Sequence, residues 1–207
     1  MDDKEELYSL PSLSMTPSDQ AFLEAEWIFT GKAKDNLVPE AGCSICGRRH
    51  VRYQYEIRNQ FTKHRAWAGE SCLIQSGIPG FIGDGKVAGD ELKGAIRDAK
   101  QEMILAKATS ELEAIAGRNG HPALAGALKT LNGQGAVSPN QAATIFYAAQ
   151  KEGLEIGQGL IRVTMKKKKH QEQVQQMAPN LFGVLIERLD VQSRATAEKI
   201  RGRSEQQ

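Results

Sequence analysis

Three residues in this chain have types and spacing suited to metal chemistry: Cys43, Cys46 and Cys72, its only cysteines. Cys43-Ser44-Ile45-Cys46-Gly47 is a C-x-x-C turn closed by a glycine. Two thiolates at that spacing can reach one tetrahedral ion, and Gly47 lets the backbone fold beneath it with a positive φ. Gly69-Glu70-Ser71-Cys72 supplies a third sulfur. The chemistry these residues suit is a structural zinc site. A redox dithiol fits less well, because a thioredoxin-like C-x-x-C opens a helix after a strand, whereas this one precedes a strand.

For Cys72 to return to Cys43 and Cys46, the chain between them must reverse. Val51, Tyr53, Tyr55 and Ile57 alternate with Arg52, Gln54, Glu56 and Arg58, the period of a half-buried strand. Asn59-Gln60-Phe61-Thr62 reads as the reversal, and His64 to Gly69 as the returning strand. His50 then stands at the base of the hairpin, near the ion. His64 stands about five residues farther out, on the order of 16 Å at ~3.3 Å per residue, too far to ligate. The predicted zinc ligands are Cys43, Cys46, His50 and Cys72. Glu70 is an alternative to His50, and a site with three protein ligands is another.

C-S-I-C-G, then Y-x-Y-x-I-x-N, then G-E-S-C resembles a treble-clef or zinc-ribbon finger, similar to those of small proteins carried by phages and other mobile elements. The resemblance covers about thirty residues. A full treble clef carries two ligands on the helix after the hairpin. Here Gln75 stands where the second would fall, which is why His50 enters the ligand set.

A chain of 207 residues accommodates a small finger and a helical domain. Its 40% hydrophobic and 25% charged residues are those of a globular protein. No segment approaches the roughly 18–20 apolar residues of a membrane span. The acidic start, Met1-Asp2-Asp3-Lys4-Glu5-Glu6, lacks a signal peptide's basic and apolar regions, so the expectation is a cytoplasmic protein with no membrane partner. Three cysteines in metal-like spacing suit a reducing compartment.

The predicted fold class is α+β, a small zinc-bound β-hairpin finger plus a mainly α-helical domain. Residues 1–15 read as a loose arm. Thr16-Pro17-Ser18-Asp19 starts a helix that carries Phe22, Leu23, Trp27, Ile28 and Phe29, with a loop completing residues 16–42. The finger takes 43–76, and a glycine-rich linker takes 77–89. The helical domain is expected over 90–191. It opens with a stripe at Leu92, Ile96, Ala99, Met103 and Ala106, and Thr109-Ser110 is a point where that helix breaks. Ser138-Pro139-Asn140-Gln141 is a capping box, and Leu160 to Met165 alternates as a strand. Residues 192–207 read as a polar tail.

Charge is uneven although the net is +2: residues 1–42 carry 3 basic and 9 acidic side chains, residues 43–75 carry 6 and 2, and residues 122–207 carry 12 and 7. The hairpin gathers Arg48, Arg49, Arg52, Arg58, Lys63 and Arg65 with Tyr53, Tyr55, Phe61 and Trp67. Arginines suit phosphates, and aromatic rings stack on unpaired bases. Lys166, Lys167, Lys168 and Lys169 form a second basic stretch. The expectation is a zinc-binding accessory or regulatory protein that contacts nucleic acid, DNA or RNA. The alternative is an adaptor or inhibitor that grips a host protein through the finger and the N-terminal aromatic helix. Enzyme classes fit poorly. The H-x-E ahead of C-x-x-C of zinc deaminases and the H-E-x-x-H of metalloproteases are both absent. A finger nuclease would want a histidine on the helix after the hairpin, and residues 73–80 hold none.

Overall fold

The computed structural model describes residues 10, 14–15, 22–37, 41–82 and 85–202. Most of the expected arm, the helix start at Thr16–Asp19 and residues 203–207 lie outside the described residues. The chain is mixed α+β and divides into two compact units, Met1–Met103 and Ile104–Gln207. Among the described residues no helix is long and apolar enough to cross a membrane.

The first unit is built on a sheet. A short helix α1 (Phe22–Glu26) leads into β1 (Trp27–Asp35); β2 (Tyr53–Asn59) and β3 (Arg65–Gly69) follow, then helix α2 (Glu70–Gln75), β4 (Gly80–Ile82) and β5 (Gly85–Val87). The strand order is β3-β2-β1-β4-β5, antiparallel except where β1 runs parallel to β4. Two expectations change here. Trp27 to Asp35 is a strand, not the continuation of a helix. Trp27, Ile28 and Phe29 are all buried, because β1 is the middle strand and both of its faces are covered. A short apolar run of that kind fits a two-sided strand as well as a helix, so its periodicity does not discriminate. Residues 77–89 are not a linker: β4 and β5 extend the same sheet. Gly80 permits this, since a Cβ there would come within 2.9 Å of Val87 and 3.1 Å of Leu92.

The β2–β3 hairpin forms, but β2 is covered on both faces and not half-buried: Gln54 and Glu56 are buried along with Tyr55 and Ile57. Tyr55 faces Ala68 and Ile57 faces Ala66 across the ladder. With Trp27 and Phe29 they make a core closed by Leu73 and Ile78, and by Leu92, Ile96 and Ala99 on helix α3 (Gly89–Asn119). At the tip, Asn59 Oδ1 accepts the backbone N–H groups of Phe61 and Thr62, fixing the reversal.

Helix α3 continues through Thr109, whose hydroxyl donates to the Leu105 and Ala106 carbonyls instead of breaking the helix. Beyond Met103 it belongs to the second unit. There α4 (Pro122–Gln134), β6 (Ala136–Val137), α5 (Pro139–Lys151), β7 (Arg162–Val163), α6 (Lys168–Gln176), α7 (Pro179–Arg188) and α8 (Val191–Gly202) follow. Their core gathers Leu112, Leu128, Ile145, Phe146, Val174 and Leu185, among others. The predicted capping box at Ser138 and Gln141 is complete. The expected polar tail is a helix over much of its length, with Ala197 and Ile200 buried.

Candidate metal centre

The C-x-x-C turn folds as a tight knuckle. The Gly47 N–H donates to the Cys43 carbonyl and the Cys43 N–H to the Arg48 carbonyl, while Gly47 takes φ 69°. The knuckle is pinned to β3: the Ser44 N–H donates to the Trp67 carbonyl, and the Trp67 N–H to the Ser44 hydroxyl. Because β3 ends directly in α2, Cys72 sits on the first turn of that helix and returns to the knuckle. The three sulfurs lie within 4.8 Å of one another, and Cys72 Sγ is 3.2 Å from Cys46 Sγ. Three sulfurs bound tetrahedrally at ~2.3 Å would stand about 3.8 Å apart, so small adjustments accommodate one ion.

The surroundings treat the sulfurs differently. The Gly69 N–H points at Cys43 Sγ from 3.3 Å. Burial works against charge on Cys46, but hydrogen bonds from the Arg48 backbone and from the Cys72 and Cys43 thiols, with the Arg48 charge, outweigh it and lower its pKa. Burial pushes the Cys72 thiol up, the Cys46 hydrogen bond and the Cys43 charge add to it, and the value reaches about 12. Cys46 is the easier of the two to ionise and Cys72 the harder, chiefly because burial opposes the Cys72 charge. A divalent cation among them would take the place of the protons.

His50 does not join the cluster, and neither does Glu70. His50 takes φ 64° with an exposed side chain, and Glu70 Oε2 accepts from the Tyr55 hydroxyl at 3.3 Å. His64 lies at the hairpin tip, its Nδ1 3.0 Å from the Thr62 hydroxyl. The sequence therefore locates the three sulfurs, and among the described residues they form a group without His50 or Glu70.

Comparison with protein-family models, with curated proteins and with solved structures finds no match to this chain.

The cations of the hairpin meet different fates. Arg52 pairs with Asp35 at 3.1 Å and lies over the Tyr53 ring, whose other cationic neighbour is Lys100. Arg65 pairs with the buried Glu56 at 3.5 Å. Arg58 Nε is buried without a hydrogen-bond partner. Lys63 Nζ donates to the Gln60 carbonyl. Arg48 and Arg49 are exposed on the knuckle, with no ion pair to a carboxylate among the described residues. Lys166, Lys167, Lys168 and Lys169 are all exposed where α6 begins, and none is in an ion pair among the described residues. Sequence reasoning missed Lys34, which lies 4.2 Å above the Trp67 ring. It also missed Asp35 as the partner of Arg52. Both sit on β1, and only the recognition of residues 27–35 as a strand would have placed them beside the hairpin.

Proposed function

We propose that Cys43, Cys46 and Cys72 hold one zinc ion and that the ion is structural. The proximity of the three sulfurs supports this reading. All-thiolate donor sets suit zinc, and the N–H groups aimed at sulfur stabilise the charge a metal needs. The ion would fasten the knuckle to the start of α2 and so fix the ends of the hairpin.

We further propose that the protein contacts nucleic acid as an accessory or regulatory factor. Arg48 and Arg49 at the knuckle and Lys166–Lys169 in the second unit would meet phosphates. The observation behind this is the selective pairing of cations: Arg52 and Arg65 are engaged by carboxylates, whereas Arg48, Arg49 and the four lysines face outward. The finger's likeness to those of phage and mobile-element proteins is the sole ground for placing the chain among such factors. The adaptor reading draws less support, because Trp27, Ile28 and Phe29 are interior and offer no exposed aromatic face. Co-purification from cell extract, with and without nuclease, separates the two. Nucleic acid retained on the chain, and companions lost after nuclease treatment, is the expected result. A protein companion that survives nuclease, with no nucleic acid bound, would replace this reading with the adaptor.

A further inference from the structure

The second unit holds a cavity of about 420 Å³ whose uncommitted polar side chains are nearly all cationic. Arg162, Lys166, Lys167 and His170 line it, and no aspartate or glutamate does. The polar groups of its floor are already engaged. Ser138 and Gln141 satisfy each other in the capping box, and the Gln141 amide also donates to the Thr130 hydroxyl. Thr164 Oγ1 is 3.2 Å from His170 Nδ1 and donates to the Val137 carbonyl. Arg162, Lys166 and Lys167, by contrast, have neither an ion pair nor a side-chain hydrogen bond among the described residues.

The backbone reinforces the sign of the charge. β6 and β7 are parallel, and each leads beyond its carboxyl end to a helix: Ser138 caps α5, and Lys167 stands at the N-cap position of α6 without a side-chain bond to it. Both caps line the cavity. Two helix N-termini beyond the carboxyl ends of parallel strands add positive potential to a concavity already ringed by cations.

We infer that this cavity is a binding site for a phosphate ester, with Arg162, Lys166 and Lys167 as its charged contacts and His170, held by Thr164, as an orienting one. Its volume falls in the range of small-ligand pockets and suits a group the size of a nucleotide. Arg162 supplies the planar fork that matches phosphate oxygens, and the lysines supply point charges. The choice of phosphate rests on the nucleic-acid reading, and the shared chemistry admits two sources: a free nucleotide or a terminal or backbone phosphate of a strand.

The test uses the 207-residue chain purified with zinc and titrates adenosine diphosphate, inorganic pyrophosphate and a short single-stranded oligonucleotide. Arg162 and Lys167 are exposed, so the double variant R162Q/K167Q leaves the core intact. K151Q/K199Q makes the same charge change away from the cavity. The expected result is saturable binding of adenosine diphosphate and pyrophosphate, weakened about tenfold or more in R162Q/K167Q and left within about twofold in the control. If the oligonucleotide displaces the nucleotide, the phosphate comes from a strand; if it does not, the nucleotide is the ligand. No saturable binding of either small phosphate, or equal loss in both double variants, overturns the site. Oligonucleotide binding lost in R48Q/R49Q while the cavity variant binds every probe normally also overturns it, and leaves the nucleic-acid reading standing. Nucleotide binding at the cavity with no oligonucleotide bound anywhere upholds the site and sinks that reading instead.

Discussion

Cys43, Cys46 and Cys72 share a few ångströms of space but not one environment. Cys43 is buried beneath the Gly69 N–H, Cys46 is exposed beside Arg48, and Cys72 is half-buried. Burial and its neighbours hold Cys72 protonated up to about 12, so a metal must displace its proton at neutral pH. The sign follows: protons compete with the ion, and zinc affinity should fall as pH falls, by as much as about tenfold per unit for each proton displaced. Zinc retained at about pH 7.5 and released near pH 5 is the expected titration, read with a chromogenic chelator. Cys46→Ser should abolish stoichiometric zinc. His50→Ala should leave zinc content unchanged, because the sulfur group does not include His50. A large loss of zinc in His50→Ala would restore it as the fourth ligand. At this scale the sequence was informative where spacing alone decides. C-x-x-C-G dictates a knuckle, whereas the fourth ligand depends on how His50 leaves the turn, a backbone angle that residue types do not encode.

Secondary structure was most legible where one periodicity had no rival. Tyr53 to Ile57 alternates and is a strand; Ser138 to Gln141 forms the capping box its residues spell out. Trp27-Ile28-Phe29 reads as helix because a continuous apolar run carries no alternation to mark it as a strand. α8 was hidden by its polar composition, because only Ala197 and Ile200 turn inward. Its start is held by Asp190, whose Oδ1 accepts the N–H groups of Gln192 and Ser193 at 3.0 and 2.9 Å. Asp190→Ala should cost about 1 kcal/mol by chemical denaturation. The Ser193 side chain and backbone hold the Asp190 carboxyl below its ordinary value. A depressed folded-state pKa makes this contribution present at neutral pH, and it is lost as pH falls through the folded value. The stability difference between wild type and Asp190→Ala should therefore shrink in acid. Within the sheet, where β4 lies between β1 and β5, Gly80→Ala forces a Cβ toward Val87 and Leu92 and should destabilise the first unit by about 1–3 kcal/mol. A neutral effect would mean that β5 and the start of α3 do not pack against β4 as described.

For the molecule as a whole, charge distribution carries the functional reading better than net charge does. The sequence shows six cations between residues 43 and 75. Which of them are spent became visible only with the sheet, because Asp35 arrives from β1 and Glu56 from β2 itself. Arg52 is committed to Asp35, so replacing it should affect the fold more than the affinity. R48Q/R49Q should instead flatten the dependence of nucleic-acid affinity on salt, lowering the slope of log affinity against log salt by about 1.4 for a single strand. An unchanged slope would remove the knuckle from the interface. The finger and the four-lysine segment are far apart in sequence and belong to different units, so each can be neutralised separately.

A zinc K-edge X-ray absorption spectrum of the purified chain tests the three-sulfur centre most directly. Three sulfur neighbours at about 2.3 Å, with one lighter atom completing the shell, is the predicted spectrum. Well-folded protein whose cysteines all titrate as free thiols with no zinc bound, or a spectrum of nitrogen and oxygen neighbours alone, would contradict it.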